Sequence, residues 1–271
     1  MPVKNLRPDM QLSDSELKIF SEFAAELSDV AGREILPHFR TRMRVEDKGG
    51  QGFDPVTLAD KAAERAMREM IGRRFPHHGI HGEEEGHAPG RSPIKWVLDP
   101  IDGTRAFITG LPQWGTLIAL NDGERPRVGI MNQPFTGERF LGMPSGAWLN
   151  GMPIQVSPCT SLAQARISCT SPQIFNAPGQ LAAFNRVADR VRLVRYGGDC
   201  YAYCMLACGH IDAVIEAGLK PYDIQALMPI IESAGGMVST WNGGDPQDGG
   251  AIVACGDKRL HAEILRHLDG S

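Results

Sequence analysis

Two amphipathic helices are predicted near the start of the chain. Apolar residues recur at helical intervals from Leu17 to Ile35, and this period predicts a helix that continues to about Phe39. Ser13 and Glu16 stand at its start with the spacing of a capping box. A second apolar face of the same period, preceded by a threonine suited to an N-cap, predicts a helix over residues 57–74.

Strand signals dominate the middle of the chain. Residues 95–98 form a short apolar run, and further runs separated by glycine and proline predict strands at 116–120, 128–132 and 139–143. The dipeptide Asn150-Gly151 is a strong signal for a tight hairpin turn. This part of the chain is therefore predicted to be mainly β-structure.

Strands and helices alternate again after Pro158, which indicates a layered α/β protein. The predicted strands cover residues 166–169, 192–194, 238–240 and 251–254, and the predicted helices cover residues 181–191, 201–208, 258–267 and a stretch from about Asp223 to Gly235-Gly236. We expect one unit over residues 1–271. A soft boundary near residues 146–158 separates a half of about residues 1–150 from a half of about residues 151–271.

The charge balance excludes several classes of protein. The chain has 28 Lys+Arg against 32 Asp+Glu, without the basic surplus that is typical of nucleic-acid binders. Its apolar runs are shorter than the ~20 residues of a membrane helix, and no apolar segment of a secretory signal is visible. We therefore expect a cytoplasmic protein that binds neither nucleic acid nor membrane.

Three of the six cysteines recur every four residues, at Cys200, Cys204 and Cys208. This spacing would place them along one face of a helix. Three thiols in a row could hold a soft metal ion, or they could pack as small apolar side chains, as free cysteines commonly do. The second interpretation is favoured.

The most informative motif is Asp-Pro-Ile-Asp-Gly-Thr at residues 99–104, directly after the apolar run at 95–98. A strand end followed by a glycine turn can direct both carboxylates and one backbone carbonyl to a common point. Hard divalent cations such as Mg²⁺ prefer such oxygen ligands. The Gly103 and Thr104 amides would form an anion site beside the metal if they open a helix. The alternative is an Asx turn that caps a helix, for which one aspartate would suffice.

Three further acidic motifs have ordinary interpretations when each is taken alone. The glutamates of Gly82-Glu83-Glu84-Glu85-Gly86 could form a solvated loop. Asp223 could be the N-cap of a helix. Asp60, which ends the run Asp-Pro-Val-Thr-Leu-Ala-Asp at residues 54–60, could complete a capping pair with Thr57.

In this order the four motifs resemble the inositol monophosphatase superfamily of metal-dependent, lithium-sensitive phosphatases. The resemblance runs from about Leu17 to Leu268, essentially the whole chain. It implies a five-layered α/β/α/β/α sandwich with Mg²⁺ held between the two halves. It also implies two or three Mg²⁺ per active site, with Mn²⁺ as a substitute, and a homodimer.

The resemblance implies a role for each acidic residue. The implied metal ligands are Glu84, Asp99, the Ile101 carbonyl, Asp102 and Asp223. Asp60 is implied to help position a further, weaker Mg²⁺. Thr104, with Glu84, is implied to orient and deprotonate the attacking water, and the Gly103 and Thr104 amides to hold the phosphate. Glu83 and Glu85 receive no ligand role.

The residues around this core differ from those of the inositol enzymes. The run Arg-Ala-Phe-Ile-Thr-Gly-Leu-Pro-Gln-Trp-Gly-Thr at 105–116 and the run Gly-Asp-Cys-Tyr-Ala-Tyr at 198–203 are similar to the histidinol-phosphate phosphatases of the same superfamily. That branch implies hydrolysis of L-histidinol phosphate in histidine biosynthesis. Carboxylates at Asp199 and Glu216 could pair with the ammonium of this substrate by charge-assisted hydrogen bonds. Arg105 either binds substrate or forms a structural ion pair.

Two other functions stay open at the level of sequence. The first is a broader monophosphatase that acts on inositol or sugar phosphates. The second is a catalytically silent relative that binds metal or phosphate and regulates a partner.

Overall fold

The computed structural model describes residues 12–41, 46–47, 55–56 and 58–270. Its strands are β1 (Glu46–Asp47), β2 (Pro55–Val56), β3 (Gly79–Gly82), β4 (Gly86–Ala88), β5 (Lys95–Asp102), β6 (Gly115–Asn121), β7 (Pro126–Gln133), β8 (Glu138–Met143), β9 (Gly146–Leu149), β10 (Met152–Pro153), β11 (Arg166–Cys169), β12 (Leu193–Tyr196), β13 (Ala213–Leu219), β14 (Met237–Thr240) and β15 (Gly250–Cys255). Its α-helices are α1 (Asp14–Ile35), α2 (Leu58–Arg74), α3 (Thr104–Ile108), α4 (Gln180–Ala188), α5 (Asp199–Ala207), α6 (Pro221–Ile224), α7 (Leu227–Ser233) and α8 (Lys258–Asp269).

Two mixed sheets form the frame of the described protein. The larger sheet has eight strands in the order β10-β9-β8-β7-β6-β5-β3-β4, and β3 and β5 are its parallel pair. The smaller sheet has five strands in the order β12-β11-β13-β15-β14, with β11 parallel to both of its neighbours. A separate short pair joins β1 and β2. The division into two halves that the sequence predicts stays a prediction.

Successive residues of the central strands face different layers, as the twofold period of a strand requires. Along β6, Ile118 and Leu120 lie in the core beneath α1 and α2, whereas Leu117 and Ala119 lie in the core shared with α5 and α7. The far face of the smaller sheet packs on α4 and α8 through Ile167, Cys169, Phe184, Val187, Leu260 and Ile264. The order of layers is α/β/α/β/α, which confirms the predicted sandwich.

The first helix begins where the sequence predicts. The Ser13 side chain accepts from the Glu16 amide and the Glu16 side chain accepts from the Ser13 amide, so the capping box is complete. The α-helix ends at Ile35, and a 3₁₀ turn over Leu36–His38 continues it almost to Phe39. In the described part of the chain, none of the helices combines the length and apolar character needed to cross a membrane.

The second helix ends at Arg74, as predicted, but Thr57 lies outside the described residues, as does Asp54. The hairpin signal is confirmed, because Asn150 and Gly151 join β9 to β10 with positive φ angles of 50° and 79°. Cys200 and Cys204 are buried in the core between the two sheets and half-buried Cys208 packs against it, in agreement with the packing interpretation.

One predicted helix is in fact two. The sequence predicts a single helix from about Asp223, whereas α6 ends at Ile224 and α7 begins at Leu227. Pro229 lies in the first turn of α7. Proline has no amide hydrogen to donate to the carbonyl four residues earlier, at Gln225, and its ring clashes there, so a continuous helix is disfavoured. Between the two helices, the Gln225 side chain accepts a hydrogen bond from the Asn121 amide group and donates one to the Gln247 carbonyl.

Candidate active site

The end of β5 brings Asp99 and Asp102 to one point. Residues three apart in a regular strand face opposite sides, but the pairing of β5 with β6 shifts register between these two residues. Pro100 lies in this irregular stretch and has no amide hydrogen for the ladder. Its carbonyl accepts from the Thr116 hydroxyl at 2.8 Å. The bulge re-directs one side chain, so both carboxylates reach the same site.

Asp223 joins them from the other half of the chain. It lies in the first turn of α6, where its Oδ2 accepts from the Lys220 amide at 2.7 Å. One carboxylate oxygen from each of Asp99, Asp102 and Asp223 lies within 4.8 Å of the others. Among the described residues this is the one such group of three metal-ligating side chains.

The glutamate beside this cluster is Glu83, whereas the sequence predicts Glu84 as the ligand. Gly82 of β3 pairs with Leu98 of β5, and the Glu83 amide donates to the Leu98 carbonyl at 3.1 Å. The register therefore places Glu83 next to Asp99, and Glu83 lines the cavity at the cluster, whereas Glu84 does not. Spacing within a run of three glutamates could not distinguish them, because the choice depends on pairing between strands.

The cluster concentrates negative charge in a buried place. Burial raises the pKa of Asp99 well above its ordinary value, and Glu83, Asp102 and Asp223 raise it further. Burial also raises the pKa of Asp102 well above its usual range, with Asp199 and Asp223 adding to the effect. The pKa of Asp223 is raised to about 7, mainly by burial.

These carboxylates fit a hard divalent cation. Oδ1 of Asp99 is buried and has no hydrogen-bond partner among the described residues. An unpaired buried carboxylate oxygen is costly unless a cation compensates it. An all-oxygen donor set is the type that Mg²⁺, Ca²⁺ and Mn²⁺ prefer. The cluster could therefore hold such an ion.

The turn after β5 provides amides beside the cluster. Gly103 has a φ of 83° and precedes α3 as its N-cap. A Cβ there would lie 2.8 Å from the Gln113 carbonyl oxygen, so both conformation and space require glycine. Gly103 and Thr104 line the cavity, and the Thr104 hydroxyl donates to the Ile101 carbonyl at 3.0 Å. The Ile101 carbonyl, a predicted ligand, thus has one of its two acceptor positions in use.

A second pair of acidic residues lies beside the cluster, at a cavity of about 340 Å³. Asp199 and Glu216 both line this cavity. Burial raises the pKa of Asp199 to about 6 and that of Glu216 to about 8. Thr170 links them, since its amide donates to Glu216 Oε1 at 2.6 Å and its hydroxyl to Asp199 Oδ1 at 3.4 Å. No sequence signal singles out Thr170, because both contacts span long stretches of chain.

The start of α5 connects the two acidic groups. Asp199 has a positive φ of 43°, a conformation that aspartate tolerates better than most residues. The next amide, that of Cys200, donates to Asp102 Oδ2 at 2.6 Å. The same turn therefore orients one cluster carboxylate and presents another carboxylate to the cavity.

The remaining predicted residues lie near the site in different ways. Arg105 is exposed, lines the cavity and lowers the pKa of Asp199 by its charge, so both of its predicted roles are compatible with its position. Asp60 is buried in the first turn of α2 and does not line the cavity.

Comparison with known proteins decides the family. The sequence model of the inositol monophosphatase family matches residues 16–271. The chain belongs to the inositol monophosphatase family. It is 42% identical to the bifunctional phosphatase IMPL2, chloroplastic, of Arabidopsis thaliana, over 96% of this chain and 78% of that protein. It is 34% identical to the histidinol-phosphatase of Chlorobaculum parvum, over 88% of each.

A solved structure agrees with this assignment. An inositol monophosphatase from Zymomonas mobilis matches with a TM-score of 0.85 and 39% identity, over 95% of this chain and 100% of that one. Membership of the inositol monophosphatase family supports hydrolysis of phosphate monoesters. The relatives are named for different substrates, so the family alone leaves the substrate open.

Proposed function

We propose that the protein is a Mg²⁺-dependent histidinol-phosphate phosphatase, which converts L-histidinol phosphate and water to L-histidinol and phosphate in histidine biosynthesis. The observation that carries this proposal is a pair of carboxyl groups that line the cavity beside the cluster, buried Glu216 and half-buried Asp199. The relative named histidinol-phosphatase supports it. The cytoplasmic location and the homodimer stay predictions.

The residues that would hold Mg²⁺ are Glu83, Asp99, Asp102 and Asp223, with the Ile101 carbonyl as a further donor. When bound, Mg²⁺ neutralises charge on the phosphate and on the leaving oxygen and lowers the pKa of the attacking water. Because Glu83 lines the cavity at the cluster, we assign to it both roles that the sequence predicts for Glu84.

The other groups bind and orient the reactants. The first amides of a helix have no acceptor inside the helix, so those of Gly103 and Thr104 are available to the phosphate oxygens. The Thr104 hydroxyl hydrogen points to the Ile101 carbonyl. The hydroxyl can therefore only accept a hydrogen bond from a water in the cavity, which orients that water. Glu83 then accepts a proton from that water, and the leaving oxygen takes up a proton from water as L-histidinol departs.

Substrate choice would rest on this second acidic pair. Asp199 and Glu216 are costly to ionise because they are buried, and an ammonium group between them would offset that cost. L-Histidinol phosphate has this group, whereas inositol phosphate has only hydroxyls. Thr170 holds both carboxyls in place, which favours recognition of a positive charge at a fixed distance from the phosphate.

The direct test is phosphate release from L-histidinol phosphate and from myo-inositol 1-phosphate, side by side with Mg²⁺. We expect kcat/KM to favour histidinol phosphate by about 100-fold or more, equivalent to about 2.7 kcal/mol of transition-state discrimination. Comparable or reversed values would instead make this a general monophosphatase. The inositol monophosphatase of Zymomonas mobilis, at 39% identity, favours that second candidate. Absence of activity on both substrates would support a silent relative.

Replacing Asp199 by asparagine should raise KM for histidinol phosphate by about 10–100-fold, the range expected when one partner of a charge-assisted pair is lost. Asparagine also tolerates the positive φ of this position, so the fold should persist. Activity on inositol 1-phosphate should change much less. The matched control is Asp189→Asn, at the exposed end of α4. An unchanged KM for histidinol phosphate in the Asp199 variant would refute this role.

A further inference from the structure

A buried carboxylate of α2 lies beneath the turn that begins with Glu83. Glu64 is 0% exposed. Its Oε2 accepts from the Glu84 amide at 2.7 Å, and its Oε1 accepts from the Glu85 amide at 3.0 Å. The side chain therefore binds two consecutive amides of the turn that connects β3 to β4.

Arg68 completes this arrangement one helical turn later. Its Nε donates to Glu64 Oε1 at 2.8 Å, and its Nη2 donates to the Gly86 carbonyl. The Arg68 side chain is only 13% exposed, so the ion pair is shielded from water. Charge-assisted hydrogen bonds in such a place are stronger than neutral ones. Together the two α2 side chains hold the turn at both of its ends.

The sequence of β3 is adapted to this contact. A Cβ at Gly82 would overlap the Glu64 carboxylate, so glycine provides the space that Glu64 occupies. The next residue is Glu83, which the register of β3 and β5 places beside Asp99. The position of Glu83 is thus fixed from one side by strand pairing and from the other by Glu64.

We propose that Glu64 is a positioning residue for Glu83 and that it sets the affinity of the acidic cluster for a divalent cation. This inference rests on the metal-binding part of the proposed function. Glu64 does not contact the cation. It holds the turn so that Glu83 meets the other ligands without a further loss of conformational freedom on binding.

The Glu64→Gln substitution keeps the size and shape of the side chain but removes its negative charge and one acceptor oxygen. Glu64 accepts three hydrogen bonds, from two amides and one guanidinium. A glutamine has one acceptor oxygen, and its NH₂ group would face a donor at the other position. One of the turn amides or Arg68 would lose its partner, and the turn would have to move. Loss of groups that orient metal ligands typically weakens metal binding 10–100-fold.

The test is Mn²⁺ binding without substrate, measured by calorimetry and by electron paramagnetic resonance. We expect Glu64→Gln to raise the Kd for Mn²⁺ about 10–100-fold and to recover most of the wild-type kcat at saturating metal. The matched control is Glu69→Gln on the same helix. Glu69 also pairs with an arginine four residues later, but its side chain is 65% exposed. The Kd of the Glu69→Gln protein for Mn²⁺ should therefore stay at the wild-type value.

The outcomes separate the two proposals. A Glu64→Gln protein with lower thermal stability but wild-type Mn²⁺ affinity would overturn the inference and leave the proposed function intact. A wild-type protein that binds no Mn²⁺ would overturn the metal site itself. If Glu64→Gln does not fold, Arg68→Lys decides. It keeps the positive charge but has one nitrogen for the two contacts of Arg68, and a Kd equal to that of wild type would then contradict the inference.

Discussion

Replacing Asp99 by asparagine should lower kcat/KM about 1,000-fold or more, a loss of at least about 4 kcal/mol of transition-state stabilisation. Asp99 is buried at the centre of the cluster, and its Oδ1 has no hydrogen-bond partner among the described residues. The carboxylate is therefore available to a cation. Asparagine has nearly the same shape but no charge. A steady-state assay with saturating Mg²⁺ measures the loss.

The Asp99→Asn substitution should also change the free energy of unfolding and its dependence on Mg²⁺. In EDTA the Asp99→Asn protein should be more resistant to denaturant than wild type near neutral pH, because it removes a carboxyl that is costly to ionise beside Glu83, Asp102 and Asp223. Added Mg²⁺ should stabilise wild type and have little effect on the variant. The exposed Asp189→Asn variant should behave as wild type in both assays. Full activity, or equal Mg²⁺ stabilisation in the Asp99 variant, would show that Asp99 is no ligand.

Removal of divalent metal from the wild-type protein should also abolish turnover, to below about one thousandth of the Mg²⁺ rate. Among the described residues, Arg105 lies beside Asp199 and Lys220 beside Asp223, but neither supplies the two positive charges of a divalent ion to the cluster. Re-addition of Mg²⁺ should restore the rate in full. A protein that hydrolyses phosphate esters equally well in EDTA would contradict the account.

Metal-free protein should in addition become less stable as the pH rises from about 7 to about 8. The pKa of Glu216 is about 8 in the folded protein, mainly because of burial, and that of Asp223 is about 7. Both groups are already ionised in the unfolded chain at this pH. The folded state therefore binds more protons, and the free energy of unfolding falls as they are lost.

Urea denaturation of wild type and Glu216→Gln in EDTA isolates this effect. The stability of wild type should fall with pH by about 1 kcal/mol more than that of the variant. Glu216 also raises the pKa of Asp223 by its charge, so the substitution should reduce that contribution as well. Equal slopes would show that Glu216 is not protonated in the folded protein at neutral pH.

Local pattern was enough to predict much of the fold and two of the three aspartates of the acidic cluster. Helical and strand periods predicted most elements, and the Asp-Pro-Ile-Asp-Gly-Thr motif identified Asp99 and Asp102 before their geometry was known. These signals are local, because a strand, a proline and a glycine turn follow one another directly in the chain. Asp223 required the resemblance to the family, since its own surroundings predict only a helix cap.

The features that sequence could not predict depend on contacts between distant segments. Glu83 rather than Glu84 lies at the cluster because Gly82 pairs with Leu98. Thr170 contacts Glu216, 46 residues away along the chain. In the sequence, Glu64 is indistinguishable from any other helical glutamate, and only the fold brings the Glu84 and Glu85 amides of the β3–β4 turn to its carboxylate. Residue type and spacing contain no information about these pairings.

The most direct test of the central claim is the anomalous scattering of Mn²⁺ in crystals grown with phosphate. The account predicts an anomalous peak between Glu83, Asp99, Asp102 and Asp223, with phosphate oxygens at the Gly103 and Thr104 amides. A peak ligated by Glu84 with Glu83 turned away would contradict the ligand assignment. A cluster without any Mn²⁺ at saturating concentration would contradict the metal-dependent phosphatase itself.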